Sequence, residues 1–212
     1  HLHAEHVYVD LSRSHEEIWR QYAGAQRRAV RKAQKEGVTD EVLEEPSTEE
    51  VEEFHTLYSE TMSRLDAEAH YHFKLQTLKG LLDLPEMVLI RARHRDQSIA
   101  AACFIRSSGT LFYFLGANRW EARQLRPNNL IFDRAVRYGL ETGCSRLHLG
   151  GGSESLTRFK SQIGGGRRAY SILNRVHRPD DYREICRALD LSAEDGEFPA
   201  YRQSLRRILA EK

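Results

Sequence analysis

Three strand-like runs follow one another in the middle of the chain, at residues 87–93, 99–105 and 110–116. They are separated by short links that contain His94-Arg95-Asp96-Gln97 and Ser107-Ser108-Gly109. Links this short cannot carry the crossover that parallel neighbours need, so the three runs must pair as an antiparallel meander. The elements around this meander read mostly as helices, which places them on the faces of a mixed α/β sheet.

Two of those helices announce themselves by S-x-x-E capping boxes, Ser14 with Glu17 and Ser47 with Glu50. In the first, residues 14–37, a spacing of about 100° puts Ile18, Trp19, Tyr22, Ala29, Val30 and Ala33 on one face. Arg20, Arg27, Arg28, Arg31, Lys32 and Lys35 take the opposite one. Gly37 suits the stop, and Gly24 is a point of weakness along the way. A short strand follows at 38–43. The second helix buries Val51, Phe54, Tyr58, Met62 and Leu65, and a shorter one at 73–82 ends before Pro85.

Beyond the meander, Pro127 opens a helix to Gly143, and Arg146-Leu147-His148-Leu149 is a strand that runs into Gly150-Gly151-Gly152. A short helix at 155–162, a second triplet Gly164-Gly165-Gly166, a last strand at 169–176, a helix after Pro179 and a charged helix at 198–210 complete the order. No internal repeat is visible. Residues 1–178 read as one domain and 179–212 as a helical extension.

With 32 Lys+Arg against 31 Asp+Glu the formal charge is +1, which excludes a generally basic surface built for nucleic acid. The balance is local, however: the basic helix at 20–35 is offset by the acidic run 40–53, which holds no Lys or Arg. The longest apolar stretches are about eight residues, against the ~20 that a membrane helix needs. Cys103, Cys144 and Cys186 are too scattered for a disulfide framework, and a cytoplasmic setting is expected. His1, His3, His6, His70 and His72 find no cysteine or carboxylate to complete a ligand set, so no metal and no bound cofactor are assigned.

The chemistry must come from less familiar constellations, since GxSxG, HExxH and P-loop patterns are all absent. The triplet 150–152 joins a strand to a helix, where small residues serve either a tight turn or the close approach of a substrate. On the short helix, Leu156, Phe159 and Ile163 take the core side, which points Lys160 outward as a surface cation. Its place between two glycine segments nevertheless marks it for chemistry. Tyr113 and Phe112 alternate faces, so one is core and the other is free to line a cleft. The basic stripe is either a solvated face or a phosphate site with guanidinium groups one turn apart.

The order Pro127-Asn128-Asn129-Leu130, helix, Arg146-Leu147-His148-Leu149-Gly150-Gly151, then Leu156-Thr157-Arg158-Phe159-Lys160 and Ile163-Gly164 resembles the C-terminal half of the Fem family. These are aminoacyl-tRNA-dependent transferases of peptidoglycan cross-bridges, within the GNAT acyltransferase superfamily. The run Gln26-Arg27-Arg28-Ala29-Val30-Arg31-Lys32-Ala33-Gln34-Lys35-Glu36-Gly37-Val38 is similar to one in the family too. The resemblance covers most of residues 7–176 and implies a GNAT-like fold centred on the meander. Whole Fem proteins carry two such domains in tandem, and this chain starts about where the second begins. Either an N-terminal GNAT domain lies outside it or it is a single-domain relative.

The resemblance further implies that Lys160 stabilises the oxyanion formed as an amine attacks an aminoacyl ester, a role an ammonium suits. Arg126, Asn128, Asn129, Tyr113, Arg158 and the glycines Gly150, Gly151 and Gly152 would then border or hold the donor. GNAT enzymes of acyl-CoA commonly carry a glycine-rich pyrophosphate loop before the central helix, whereas residues 117–127 contain no glycine. Arg119, Arg123 and Arg126 there, with Arg27, Arg28, Arg31, Lys32 and Lys35, suit the acceptor end of a tRNA. The expected activity is aminoacyl transfer from tRNA to an amine of a peptidoglycan precursor, peptide or small metabolite. The alternatives are an acyl-CoA-dependent N-acyltransferase, and a degenerate GNAT domain that binds RNA or a protein.

Overall fold

The computed structural model describes residues 3–193, 198–202 and 204. Two compact units divide the chain, Ala4–Tyr170 and a smaller one made of His3 with the described residues from Ser171 on. Seven described strands form one sheet in the order β2-β3-β4-β5-β6-β1-β7. They are β1 (His3–Asp10), β2 (Thr39–Leu43), β3 (Met87–His94), β4 (Gln97–Ser107), β5 (Thr110–Asn118), β6 (Arg146–Gly150) and β7 (Gly166–Ser171). The meander β3-β4-β5 is antiparallel, as its short links require. β5 and β6 pair in parallel, and the crossover between them is the helix α5 (Pro127–Glu141).

Period-2 alternation along the meander sorts its side chains into two cores. On one face Val88, Ile90, Ala102, Phe104 and Leu111 pack with α5 and with α2 (Gly24–Lys35), through Leu130, Ile131, Val136, Val30 and Ala33. On the other, Leu89, Ala101 and Cys103 pack with α3 (Thr48–Arg64) and α4 (Leu75–Leu82), through Val51, Phe54, Leu57, Leu78 and Leu82. Both capping boxes form, at Ser14 and at Ser47.

The helix expected over 14–37 is two helices, α1 (His15–Gln21) and α2. Ala23 is extended, with φ −54° and ψ 146°, and its N–H donates to the carbonyl of Gln162 at 2.8 Å. A tertiary partner thus takes the amide that a continuous helix would have used, next to a glycine whose backbone is costly to fix inside a helix. The last strand starts at Gly166, inside the second glycine triplet, where 169–176 was expected.

Two irregularities open the sheet at its centre. Phe104 pairs with Tyr113 but Cys103 pairs with Leu115, so Phe114 is an extra residue, a bulge in β5. β5 and β6 pair only at Thr110–Arg146, Leu111–Leu147 and Phe112–His148, although β5 runs on to Asn118. Beyond Phe112 and His148 the strands part, and the edge of β5 is left facing the gap.

In the smaller unit, α7 (Pro179–Ala188) starts with proline in its first turn and buries Cys186. Tyr182 stacks with Phe198 at 5.9 Å. The helix expected over 198–210 falls largely outside the described residues.

Candidate active site

A cavity of about 450 Å³ occupies the gap beside β5. Gly116, Phe114, Asn128, Phe159, Tyr58 and Arg64 are among its walls, contributed by β5, α5, α3 and α6 (Glu154–Lys160). Concave, mostly apolar walls with a few polar groups are what a substrate site requires.

Lys160 is buried, with 3% of its surface exposed, which corrects the expectation of a surface cation. The buried side of α6 is Thr157 with Lys160, while Leu156 is 40% exposed and lines the cavity. The helix is only two turns long and lies against the glycine turn after β6, so its polar side meets a carbonyl instead of water. The Nζ of Lys160 donates to the carbonyl oxygen of Gly151 at 2.7 Å and stands 5.0 Å from the centre of the Tyr113 ring. Burial holds its pKa down, from 10.5 to about 8. The ammonium still dominates at neutral pH and is poorly solvated.

The triplet is built for this arrangement. Gly150 has φ +66° and Gly152 φ +138°, and a Cβ on Gly152 would stand 2.7 Å from the Leu156 side chain. A side chain at either position would be strained, and at Gly152 crowded as well.

The other predicted residues separate into distinct settings. Tyr113 and Asn128 line the cavity. Asn129 is buried away from it, donating from Nδ2 to Gln26 Oε1 at 2.5 Å while its carbonyl accepts from Gln26 Nε2 at 3.1 Å, a clamp between α5 and α2. Arg158 pairs with Glu154 on the exposed side of α6. Arg119 donates from Nε to the carbonyl of Ser98 at 3.2 Å, outside the cavity. Arg123 lies over Trp120 at 4.1 Å, and Arg126 is the exposed residue before α5, at φ +61°. Arg27 donates to the carbonyls of Trp19, Arg20 and Tyr22 at the end of α1. Arg28, Arg31, Lys32 and Lys35 are left as the exposed stripe of α2.

Sequence reasoning missed Arg64, which lines the cavity, donates to Asn118 Oδ1 at 3.2 Å and lies 5.0 Å over Trp120. It also missed a hydrogen-bonded pair, His6 and His148, beside the glycine turn. The one available signal was the position of His148, two residues before the triplet. Among the described residues, no three His, Cys, Asp or Glu are placed to hold a metal ion, and no helix is long and apolar enough to cross a membrane.

Comparisons with known proteins place this geometry. The model of the acetyltransferase (GNAT) domain family matches residues 20–161, two thirds of the chain. No curated protein matches the sequence. Among solved structures, FemX superposes with a TM-score of 0.65 at 16% identity, over 85% of this chain and 63% of FemX. L-PGS from Bacillus licheniformis does so with a TM-score of 0.58 at 16% identity, over 87% of this chain and 64% of L-PGS. AAC(6')-Iy, in complex with the bisubstrate analogue CoA-S-monomethyl-acetylneamine, gives 0.50 at 13% identity, over 66% of this chain and 98% of that one. At these identities the likeness is one of fold, and the chain spans less than two thirds of FemX and of L-PGS. The matching family model, over two thirds of its residues, shows that the chain belongs to the acetyltransferase (GNAT) domain family.

Proposed function

We propose that the protein transfers an aminoacyl group from charged tRNA to an amine, with Lys160 as the oxyanion-stabilising cation. The observation that carries this reading is the buried ammonium of Lys160, fixed on the Gly151 carbonyl at the opening between β5 and β6. An acyl carbonyl brought there along the free edge of β5 would develop its negative charge against that ammonium. Holding amine and ester together in the cavity supplies much of the remaining acceleration. Tyr113 and Asn128 are the cavity residues that would orient the acyl group.

The donor is argued from charge and backbone. Residues 117–127 lack the glycines that let backbone N–H groups wrap a pyrophosphate, and present Arg119, Arg123 and Arg126 instead. Arg28, Arg31, Lys32 and Lys35 add an exposed cationic stripe on α2. Charged tRNA resides in the cytoplasm, and this reading places the reaction there. Acceptors consistent with it are an amine of a peptidoglycan precursor, a peptide or a small metabolite. Acyl-CoA is the second reading, favoured by the N-terminus of α5, which reaches the cavity at Asn128 and leaves that residue's backbone N–H for a phosphate, since Pro127 has none and Asn129 donates to the Arg126 carbonyl.

The test supplies mixed charged tRNA or acetyl-CoA with a panel of amines and follows deacylation or thiol release. Transfer from tRNA that is lost in Arg28→Glu/Arg31→Glu supports the proposal. Thiol release alone, unaffected by that pair, replaces tRNA with CoA as donor.

A further inference from the structure

An amine that becomes an amide must shed a proton, and none of the residues assigned so far receives it. Lys160 is a cation at neutral pH, and Tyr113 is a buried phenol whose pKa is pushed up to about 12. Two histidines on neighbouring strands stand where such a group is needed. His148 of β6 and His6 of β1 share a hydrogen bond, Nε2 to Nδ1 at 3.0 Å, with their rings edge to face at 4.6 Å. The His6 ring lies against the glycine turn, its Cδ2 3.5 Å from where a Cβ on Gly151 would stand. The carbonyl of that same Gly151 holds Lys160.

The pair is held in place from both sides. Tyr170 of β7 stacks on His6 at 3.9 Å, and Phe112 of β5 lies 5.3 Å from His148. Phe112 and His148 are also the last paired residues before β5 and β6 part. The histidines therefore stand at the closed end of the opening, beside the Gly151 anchor of the catalytic cation, and both are half-buried.

The charges around them keep them neutral. Burial lowers the pKa of His6 most, followed by the charge of Lys160 on α6. Burial likewise leads for His148, followed by His6, by Arg146 on its own strand and by Lys160, against a smaller opposing hydrogen bond to its own backbone. From β7 the facing group is Tyr170, and the Glu5–Arg167 ion pair flanks the pair at the sheet edge. At neutral pH the pair is uncharged, and since one ring accepts from the other, a single nitrogen of the pair is left to accept a proton, beside a cation that repels further positive charge.

We propose that the His6–His148 pair accepts the proton released by the acceptor amine. The amine nitrogen attacks the acyl carbon, the carbonyl π electrons move to the oxygen facing Lys160, and an N–H proton passes to an imidazole. Collapse of the tetrahedral adduct breaks the bond from the acyl carbon to the donor's oxygen or sulfur. That leaving atom takes the proton back from the pair, so no proton is gained or lost overall. The inference rests on acyl transfer at Lys160 and holds for either donor.

The test compares two nucleophiles with wild type, His6→Asn, His148→Asn, His148→Gln and Lys160→Ala. One nucleophile is an alkyl amine. The other is hydroxylamine, which is neutral at pH 7 and whose adduct is acidic enough to lose its proton to water. The histidine variants should lose about a hundredfold or more in kcat with the alkyl amine, and little with hydroxylamine, at unchanged donor affinity. Lys160→Ala should lose turnover with both. Equal losses with both nucleophiles, or none with either, would overturn the assignment, and measuring donor affinity and Tm identifies a variant that fails to fold. His148→Gln keeps a polar side chain in the strand and carries the comparison if an Asn variant is unstable. Inactivity of the wild type with every donor removes the acyl-transfer reading and this inference with it, whereas failure of the inference alone leaves wild-type turnover intact.

Discussion

The phenol of Tyr113 lies over Gly116, in the space that a Cβ at position 116 would occupy. The bulge at Phe114 turns the strand so that these residues, three apart, come together. The Tyr113 ring then sits between Phe104 and Phe132 and faces the Lys160 ammonium at 5.0 Å. Gly116→Ala should push the ring off this seat and weaken its hold on the cation, an interaction worth up to about 2 kcal/mol when desolvated. The expected result is a fall in kcat on the order of tenfold with the fold retained, while Tyr113→Phe, which keeps the ring, changes little. Steady-state kinetics with thermal denaturation checks this, and an unaffected Gly116→Ala would remove Tyr113 from the support of Lys160.

Removing the charge of Lys160 should stabilise the protein while abolishing turnover. The lowering of its pKa from 10.5 to about 8 corresponds to a cost on the order of 3 kcal/mol for keeping the ammonium buried. Lys160→Met relieves that cost but leaves the Gly151 carbonyl without its donor, which returns about 1 kcal/mol or more. The sign with pH follows from proton binding. Below pH 8 both folded and unfolded chains carry the proton and the whole penalty is present. Between about 8 and 10.5 the unfolded chain binds more protons, so wild-type stability rises with pH and the gap to the variant closes. Chemical denaturation of both proteins at pH 7 and pH 10 measures it, and a gap that ignores pH would contradict the assignment.

What was legible in the sequence was what local rules decide. The capping boxes at Ser14 and Ser47 depend on residues three apart, and both form. The meander follows from link length, and Pro127 opens α5 as expected. What was not legible depends on partners far along the chain. The break at Ala23 uses the carbonyl of Gln162, and the burial of Lys160 requires the turn at Gly151. No spacing rule separates Asn128, which faces the cavity, from Asn129, which faces Gln26. The His6–His148 pair joins residues from opposite ends of the domain, which only strand order brings together.

The exchange between Gln26 and Asn129 makes a prediction about role. Both side chains are buried, and Asn129→Ala leaves Gln26 Oε1 without its donor inside the core, while Gln26 Nε2 keeps the backbone carbonyl of residue 129. A loss of about 1–3 kcal/mol is expected, read as a lower denaturation midpoint at unchanged m. Donor KM should stay near the wild-type value. Asn128→Ala should do the reverse, raising donor KM with little change in stability, because its side chain borders the cavity. A donor KM that responds to Asn129 and not to Asn128 would contradict the division of the two residues.

Arg27 and Arg28 are neighbours on α2 with opposite tasks. The Arg27 guanidinium lies at the C-terminal end of α1 and donates to the carbonyls of Trp19, Arg20 and Tyr22, where a cation also meets the negative end of the helix dipole. Arg27→Ala should therefore lower stability by about 1 kcal/mol and leave RNA binding, and its dependence on salt, as they were. Arg28 and Arg31 are exposed on α2, Arg31 with its guanidinium 5.8 Å over the Trp19 ring. Arg28→Glu/Arg31→Glu should leave Tm nearly unchanged and reduce the slope of log affinity against log salt by about one for each phosphate that is no longer neutralised. The discriminating measurement is tRNA binding titrated across a salt series for both variants. A slope that falls with Arg27→Ala and holds with the Arg28/Arg31 pair would move the RNA-binding surface off the exposed stripe, because only a cation that neutralises a phosphate releases a counterion when it binds.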